Sequence, residues 1–505
     1  MNHQVSDAEL HQLSVFLEAR MGLHFPKDRW PDLARGIHSA MRDFTLEESA
    51  ASVESLLTSP LTKRRIEILA SHLTIGETYF FRERKAFEAL EERILPELVR
   101  LRQSGDRRIR IWSAGCCTGE EAYSIAITIS RSVPDWKDWN ITVLATDINP
   151  RFLQKAQEGI YGDWSFRDVA PDLKERYFSR TKNGRFEILP SIKSMVEFSH
   201  VNLADDVYPS LLNNTNAMDV IFCRNVLMYF TSQRTTKVIQ NLYRSLVDGG
   251  WLIVSPTEAS HVLYSQFTTV NFPDAILYKK ESNAPSKVHT EDLFLLPQAD
   301  EGNVQSSPQF KFPPEQKVDD FFTRGPSEIV AAEVEKNQNR GSDPKTYVEV
   351  LALYERGFYP EAEESIVRLL SQDRDDARLM ALLARVYANQ GKLVEAQEWS
   401  QRANAADKLN PAYRYLLATI MQERGLEDDA MTSLKQALYL DQNFVLAYFA
   451  LGNLVQRQGK ANEAQKHFQN ALALLGSYRN EDILPESEGV TAGRLAEIIG
   501  SITNG

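Results

Sequence analysis

Apolar positions recur at helical spacing in the first and last parts of the chain, and in the middle they gather into short strand-like runs. Leu10, Leu13, Phe16 and Leu17 fall on one helical face, with Ser6 or Asp7 placed to cap its start. The same spacing returns from Ile66 to Leu73 and from Phe87 to Leu101, which predicts an all-α N-terminal domain over residues 1–104. The pattern then changes. RIRIWSAG is a β-rich run ending in small residues, EEAYSIAITISRSV reads as a helix, ITVLATDINP is a strand ending in an acid, and RFLQKAQEGIY is a second helix. VEFSHVNL, DVIFCRNVLMYF and GGWLIVSP supply further strands. Strands alternating with helices predict βαβ units, hence a doubly wound α/β domain over residues 105–281. Within it, RYFSRTKNGRFEIL carries Asn183-Gly184 between strand-like residues, which predicts a small antiparallel β insertion near residues 177–198.

Residues 282–342 are rich in Ser, Pro, Gln, Asn and charge, and read as a linker. Beyond it Gly357, Gly391, Gly425 and Gly459 lie 34 residues apart, and so do Ala362, Ala396, Ala430 and Ala464. Small residues keep the same period at Ala384, Ala418 and Gly452, and again at Ala403, Ala437 and Ala471. Antiparallel helices approach closely only where side chains are small. A 34-residue period with Gly in the turn resembles the tetratricopeptide repeat, although only Phe468 fits its aromatic positions, while Ser400 and Leu434 do not. An all-α tetratricopeptide solenoid is therefore expected over residues 343–476, with a capping helix and tail over residues 477–505.

Composition narrows the class. The 505 residues are 43% hydrophobic and 25% charged, ordinary for several globular domains. No apolar run reaches about 18 residues, so no membrane insertion is expected. The start, MNHQVSDAEL, lacks the basic and apolar segments of a signal peptide. Three cysteines, Cys116, Cys117 and Cys223, fit reduced thiols in a cytoplasmic protein. No Cys/His cluster has metal-ligand spacing, so no metal is expected. The net charge is −12, and residues 285–505 hold 33 acids against 23 bases. Such a surface repels phosphate backbones and argues against a nucleic-acid partner.

The candidate chemistry begins at SAGCCTGEEAYS, between a strand and a helix. Gly115 and Gly119 let backbone approach a ligand, and the helix start offers free N–H groups. Asp147 ends the second strand, where a doubly wound sheet places the acid that binds ribose hydroxyls. Neither the GxxxxGK[ST] nor the GxGxxG pattern is present. A ribose-bearing ligand without a pyrophosphate fits best, and S-adenosylmethionine is one.

TYFFRE, WSAGCCTGEEAYSIA, ATDI, EGIY, NL and IFCRNVLMYF occur here in the order of the CheR family, and the chain resembles that family from near its start to about residue 280. TGEEAYS and IFCRNVLMYF are the specific markers. Family members methylate glutamates on bacterial chemoreceptors with S-adenosylmethionine. The resemblance implies a protein-glutamate O-methyltransferase that makes glutamyl methyl esters and S-adenosylhomocysteine. It places Thr78 and Arg82 on the cofactor pocket, Glu121 at the methionyl amine, Asp147 on the ribose and Asn202 with Leu203 beside the adenine. Arg224 and Asn225 match the residues after the fourth strand, and Tyr229 a tyrosine near the transferred methyl. Gly115 joins this cofactor set as part of the glycine turn, and Arg82 and Tyr229 are the catalytic candidates. A glutamate with a pKa of about 4.3 is ionised at neutral pH, so no general base is required. Arg82 would orient it through a single charge-assisted bond. The chain departs from the family at Gly76, where many members carry Asn. Cys116 and Cys117 read as packing residues, and Glu120 as a helix cap.

Arg35 and Arg42, with His38 between them, offer a basic helical face to the acidic cytoplasmic bundle of a methyl-accepting chemoreceptor. The compact hairpin argues against docking on a receptor's C-terminal peptide. A protein or peptide partner is instead expected in the groove of the repeats. Repeat-bearing family members often serve biofilm or surface-sensing pathways, which tilts the expectation that way. One alternative is a non-catalytic, cofactor-sensing scaffold acting through its repeats. Another is a small-molecule or nucleic-acid methyltransferase, for which the Asn/Asp-Pro-Pro-aromatic motif is absent.

Overall fold

The computed structural model describes residues 5–44, 53–58, 63–103, 105, 107–205, 208–273, 275–281 and 346–503. The linker expected over residues 282–342 lies outside the described residues. The N-terminal helices are α1 (Asp7–Met21), α2 (Trp30–Asp43), α3 (Val53–Thr58) and α4 (Lys63–Leu73). Ser6 starts α1 through a reciprocal capping box with Glu9. Leu10, Leu13 and Leu17 of α1, Leu33 and Ile37 of α2, and Ile68 and Leu69 of α4 form one core. Two further helices, α5 (Arg84–Ala89) and α6 (Leu95–Arg102), joined by a π turn at Leu90–Ile94, lead to the sheet.

The α/β domain runs β1 (Arg108–Ala114), α7 (Glu120–Ser132), β2 (Asn140–Asp147), α8 (Pro150–Glu158), β3 (Ile160–Tyr161), α9 (Pro171–Tyr177), β4 (Phe178–Arg180), β5 (Phe186–Ile188), α10 (Pro190–Lys193) and β6 (Val196–His200). It closes with β7 (Met218–Phe222), α11 (Ser232–Ser245), β8 (Leu246–Ile253), β9 (Thr268–Phe272) and β10 (Ala275–Lys279). The seven-stranded sheet has the order β6-β2-β1-β7-β8-β10-β9. Its first five strands are parallel, while β10 is antiparallel to both neighbours. This is the doubly wound sheet that alternation implied, with an antiparallel edge that alternation did not reveal. Strand order reverses between β1 and β7, and the crevice at their carboxyl ends is where such sheets bind ligands. The hairpin expected at Asn183-Gly184 joins β4 to β5, and β3 adds a third strand on its other side.

The repeats are helix pairs: α12 (Tyr347–Glu355) with α13 (Tyr359–Gln372), α14 (Ala377–Asn389) with α15 (Leu393–Ala406), α16 (Pro411–Glu423) with α17 (Glu427–Leu440), and α18 (Val445–Arg457) with α19 (Ala461–Leu475). The periodic alanines, Ala362, Ala396, Ala430 and Ala464 among them, are buried where the helices meet. A last helix, α20 (Ala492–Thr503), packs Ala492, Leu495 and Ile499 into the core of the final repeat.

The repeats lie directly against the α/β domain. Gly391, at φ +76 in a repeat turn, sits so near β1 that a Cβ there would fall 2.9 Å from the Arg108 guanidinium. Glu423, at the end of α16, faces Arg108 and Arg110 of β1 at 3.6 and 3.7 Å. It also accepts a 3.0 Å hydrogen bond from the side chain of Asn216. Leu211 and Leu212, between β6 and β7, pack against the repeat cores. Glu488 accepts hydrogen bonds from the Leu211 N–H at 3.1 Å, the Tyr354 hydroxyl at 2.8 Å and Arg385 at 3.2 Å. Tyr354 and Arg385 belong to first helices of their pairs, so part of the surface expected to hold a partner is filled by the protein's own segments.

Burial lowers the Arg108 pKa to about 10, aided by repulsion from Arg110, so the Arg108 guanidinium stays charged at neutral pH and needs a counter-ion. Removing one partner of a buried ion group leaves uncompensated charge, at a cost of about 3–5 kcal/mol. Glu423→Ala should therefore lower unfolding stability by about that amount in denaturant titration; a change under roughly 1 kcal/mol would show that the contact is not needed.

Candidate active site

The pocket opens at the reversal point of the sheet and is roofed by the N-terminal helices. The turn after β1 builds its floor. Gly115 takes φ +86, and a Cβ there would stand 2.4 Å from Cγ2 of Val226, so both backbone and space demand glycine. The N–H groups of Gly115 and Cys116 donate to the Thr146 carbonyl at 2.8 and 2.9 Å, tying this turn to the end of β2. The Cys117 N–H donates to Asp147 Oδ2 at 2.9 Å and the Asn149 N–H to Oδ1 at 2.8 Å. Burial raises the Asp147 carboxyl to about 6; backbone donors at Asn149, Cys117 and Ile148 pull it back, and no cation figures among these influences.

Glu121 enters from the first turn of α7. It accepts from the Ser113 hydroxyl at 2.7 Å and from Arg224 at 3.0 Å. Burial pushes its carboxyl up, while Arg224 and Ser113 oppose the shift. Arg224 is itself buried, pairs with Glu83 at 2.9 Å as well, and donates to the Arg82 carbonyl. Its guanidinium thus serves as an internal counter-ion that fixes Glu121. Asn202 uses its side chain to close its own turn, donating to Asp205 at 3.0 Å and accepting from the Ala204 N–H at 3.0 Å. That turn presents Val201, Asn202 and Leu203 to the pocket.

The opposite wall is mixed. Thr78 and Arg82 follow the end of α4, and Arg82 donates to the Glu77 carbonyl. Tyr229 is fixed at its carbonyl by the His24 N–H at 2.8 Å, and the Arg29 guanidinium lies 5.5 Å from its ring centroid. Burial raises its phenol, which keeps it a protonated donor. Met21, Leu23 and Phe25 bring apolar surface from the N-terminal domain. That domain is pinned in place: the Asn149 side chain donates to the Thr74 hydroxyl at 2.9 Å, and Asp43 bonds both His72 and Arg151 at 2.8 Å.

All ten residues singled out from the sequence, Thr78, Arg82, Gly115, Glu121, Asp147, Asn202, Leu203, Arg224, Asn225 and Tyr229, line this one pocket. At Gly76 a Cβ would stand 2.5 Å from the Phe152 ring, so Phe152 holds the space beside it. Cys116, Cys117 and Cys223 are buried and burial pushes their thiols up, so they are poor nucleophiles. Glu120 accepts from the Thr118 and Ser165 hydroxyls at 2.6 and 3.0 Å. No group of His, Cys, Asp and Glu able to hold a metal ion occurs among the described residues.

Sequence reasoning missed Glu258. Its carboxylate accepts from the Asn225 N–H at 2.6 Å, the Ser255 hydroxyl at 2.7 Å and the Met228 N–H at 3.3 Å. It therefore clamps the turn that carries Asn225, at φ 57, and Tyr229. The one available signal was an acid just past β8, in SPTE.

An ionisable acceptor, a net acidic polar wall and an apolar roof suit a ligand carrying positive charge. Residues 76–276 match the family model described as CheR methyltransferase, SAM binding domain, and residues 353–420 match a tetratricopeptide repeat model. Chemotaxis protein methyltransferase 2 of Vibrio cholerae is 34% identical over 221 residues, 44% of this chain and 75% of the relative. The probable chemotaxis protein methyltransferase of Rhizobium etli is 36% identical over 206 residues, 40% of this chain and 75% of the relative. Chemotaxis protein methyltransferase 1 of Pseudomonas aeruginosa is 29% identical over 282 residues, 54% of this chain and 98% of the relative. Among solved structures, the crystal structure of MamA aligns at 20% identity and a TM-score of 0.26, covering 29% of this chain and 85% of that one. Fold and pocket thus define an S-adenosylmethionine-dependent methyltransferase. The chain belongs to the CheR methyltransferase family, and carries tetratricopeptide repeats after its catalytic part.

Glu258→Ala should loosen the turn that carries Asn225 and Tyr229, at the methyl end of the pocket, while sparing the wall around Asp147 that holds most of the proposed cofactor contacts. Single-turnover methyl transfer is expected to slow by roughly 10- to 100-fold, with S-adenosylmethionine affinity in calorimetry kept within about threefold; equal losses in both would assign Glu258 to binding instead.

Proposed function

We propose that the chain transfers methyl from S-adenosylmethionine to glutamate side chains of a methyl-accepting chemoreceptor, giving glutamyl methyl esters and S-adenosylhomocysteine. The observation that carries this reading is Asp147: a half-buried carboxylate, held by backbone donors and lacking a paired cation, on the wall of a pocket. Its oxygens keep lone pairs for two ribose hydroxyls. Asn202 and Leu203 flank the adenine, and Gly115 lets the turn approach the nucleoside. Glu121, fixed by Arg224, accepts from the methionyl amine, while Thr78 and Asn225 border the methionyl and methyl end. The chemotaxis methyltransferase names of the relatives support the chemoreceptor as substrate.

The cofactor supplies a methyl already activated on a sulfonium. The protein's part is to place an anionic oxygen in line with it and to keep water out. The incoming glutamate is ionised at neutral pH, so proton removal is not needed. Arg82 orients it with one charge-assisted bond, and the protonated Tyr229 phenol holds its second oxygen or the sulfur end. Met21, Leu23 and Phe25 exclude solvent above.

Arg35, His38 and Arg42 are all exposed on α2 and form the basic face for the acidic receptor bundle, with Arg35 already bridging to Asp32. In this reading residues 1–281 carry the chemistry, in the cytoplasm with the receptor's signalling bundle, and residues 343–476 hold a protein or peptide partner on the repeat surface left free by Leu211 and Glu488. Among the described residues no helix is long and apolar enough to cross a membrane.

Incubation with methyl-labelled S-adenosylmethionine and receptor cytoplasmic fragments tests the reaction. The label should enter the receptor and leave as methanol in mild base, because carboxyl esters hydrolyse there. Base-stable label would contradict glutamate methylation, and label absent from every fragment would favour a scaffold.

A further inference from the structure

The helix after the repeats reaches the wall of the cofactor pocket. His200 ends β6 and pairs in register with Asp147, the end of β2. Its Nε2 lies 2.9 Å from the Ile148 carbonyl oxygen, and the neighbouring Val201 N–H donates to the Asp147 carbonyl at 3.3 Å. The His200 ring therefore staples the turn after β2 to the turn after β6. Ile148 on one side and Val201 on the other both line the pocket.

Arg494 of α20 grips this staple from outside. One guanidinium nitrogen lies 3.1 Å from His200 Nδ1 and 3.2 Å from the His200 carbonyl oxygen. The other donates to Glu497 at 2.9 Å. The Arg494 side chain is only 15% exposed, so its orientation is held by packing. A guanidinium can only donate, so Nδ1 must accept; the ring proton then sits on Nε2 and donates to the Ile148 carbonyl. Arg494 thus selects the one neutral tautomer that closes the staple.

We propose that Arg494, beyond the last repeat, is a positioning residue for S-adenosylmethionine: through His200 it sets the spacing of the two main-chain walls that receive the ribose and adenine. The inference rests on Asp147 being the ribose acceptor. It makes the C-terminal helix part of the cofactor site and gives the repeats a physical route to it.

The test uses the full chain, with calorimetric affinity for S-adenosylmethionine, its KM and the saturated kcat, and the melting temperature without ligand. Arg494→Ala should raise Kd and KM by about three- to tenfold, the weight of one or two hydrogen bonds, with saturated kcat kept. Arg494→Lys should recover part of the affinity, since an ammonium can still reach one of the two acceptors. Ile499→Ala, a cavity on the repeat-core side of the same helix, should lower the melting temperature with Kd unchanged. Asp147→Asn is the reference for the ribose contact. Weakened binding in Asp147→Asn with unchanged Kd in Arg494→Ala overturns the inference alone. Unchanged Kd in both overturns the ribose assignment and the inference with it. Kd rising in step with lost stability in Ile499→Ala also overturns it, since Arg494 would then act only by holding the fold together.

Discussion

A carboxylate drawn partly out of water without a counter-cation is unfavourable unless its oxygens meet donors, and this constraint at Asp147 organises the catalytic part of the chain. Backbone N–H groups supply those donors, those of Cys117 and Asn149 among them. To aim the first, the turn after β1 must double back on β2, which is why Gly115 adopts a left-handed conformation against Val226. To aim the second, the chain must turn sharply after Asp147, and Asn149 caps α8 in doing so. The acid remains partly destabilised, and in the proposed ribose contact the hydroxyl donors of the ligand would relieve it.

Around that acid the polar groups come in closed sets. Arg224 balances Glu121 and Glu83, Asn202 satisfies its own turn, and Glu258 ties down the turn bearing Tyr229. Such sets hold side chains in place before a reaction, which suits a methyl transfer that needs alignment more than proton movement. The repeats extend the same logic. Glu423 neutralises Arg108 and Arg110 at the amino-terminal part of β1, and Arg494 meets the far end of β6. The repeat array is therefore bound to both ends of the sheet that carries the chemistry.

Much of this was legible along the chain. The glycines and alanines at one fixed period had to mark helix crossings, because close approach admits few side chains. Asp147 stood at a strand end in a sheet whose parallel part follows from alternation, and the family motifs named most of the other candidate residues, which the fold gathers with it from five separate segments. What stayed hidden depends on main-chain geometry or distant partners. The β9–β10 edge is read through TTVNF, too polar to announce a strand. Glu258, His200 and Arg494 act on backbone groups or on each other across long separations. The filling of the repeat surface by Leu211 and Glu488 joins positions 277 residues apart, which no local pattern encodes.

The most direct test is a calorimetric titration of S-adenosylhomocysteine across pH, in the native chain and in Asp147→Asn. In the proposed contact ribose hydroxyls donate to the ionised acid, so binding would favour the charged form and pull its pKa down from about 6. Affinity should be full near neutral pH and fall as pH drops through about 6, approaching tenfold per pH unit below it; the Asn variant should bind weakly with that dependence gone. Affinity in the native chain that stays level from about pH 7 to about pH 5 would show that Asp147 does not hold the sugar.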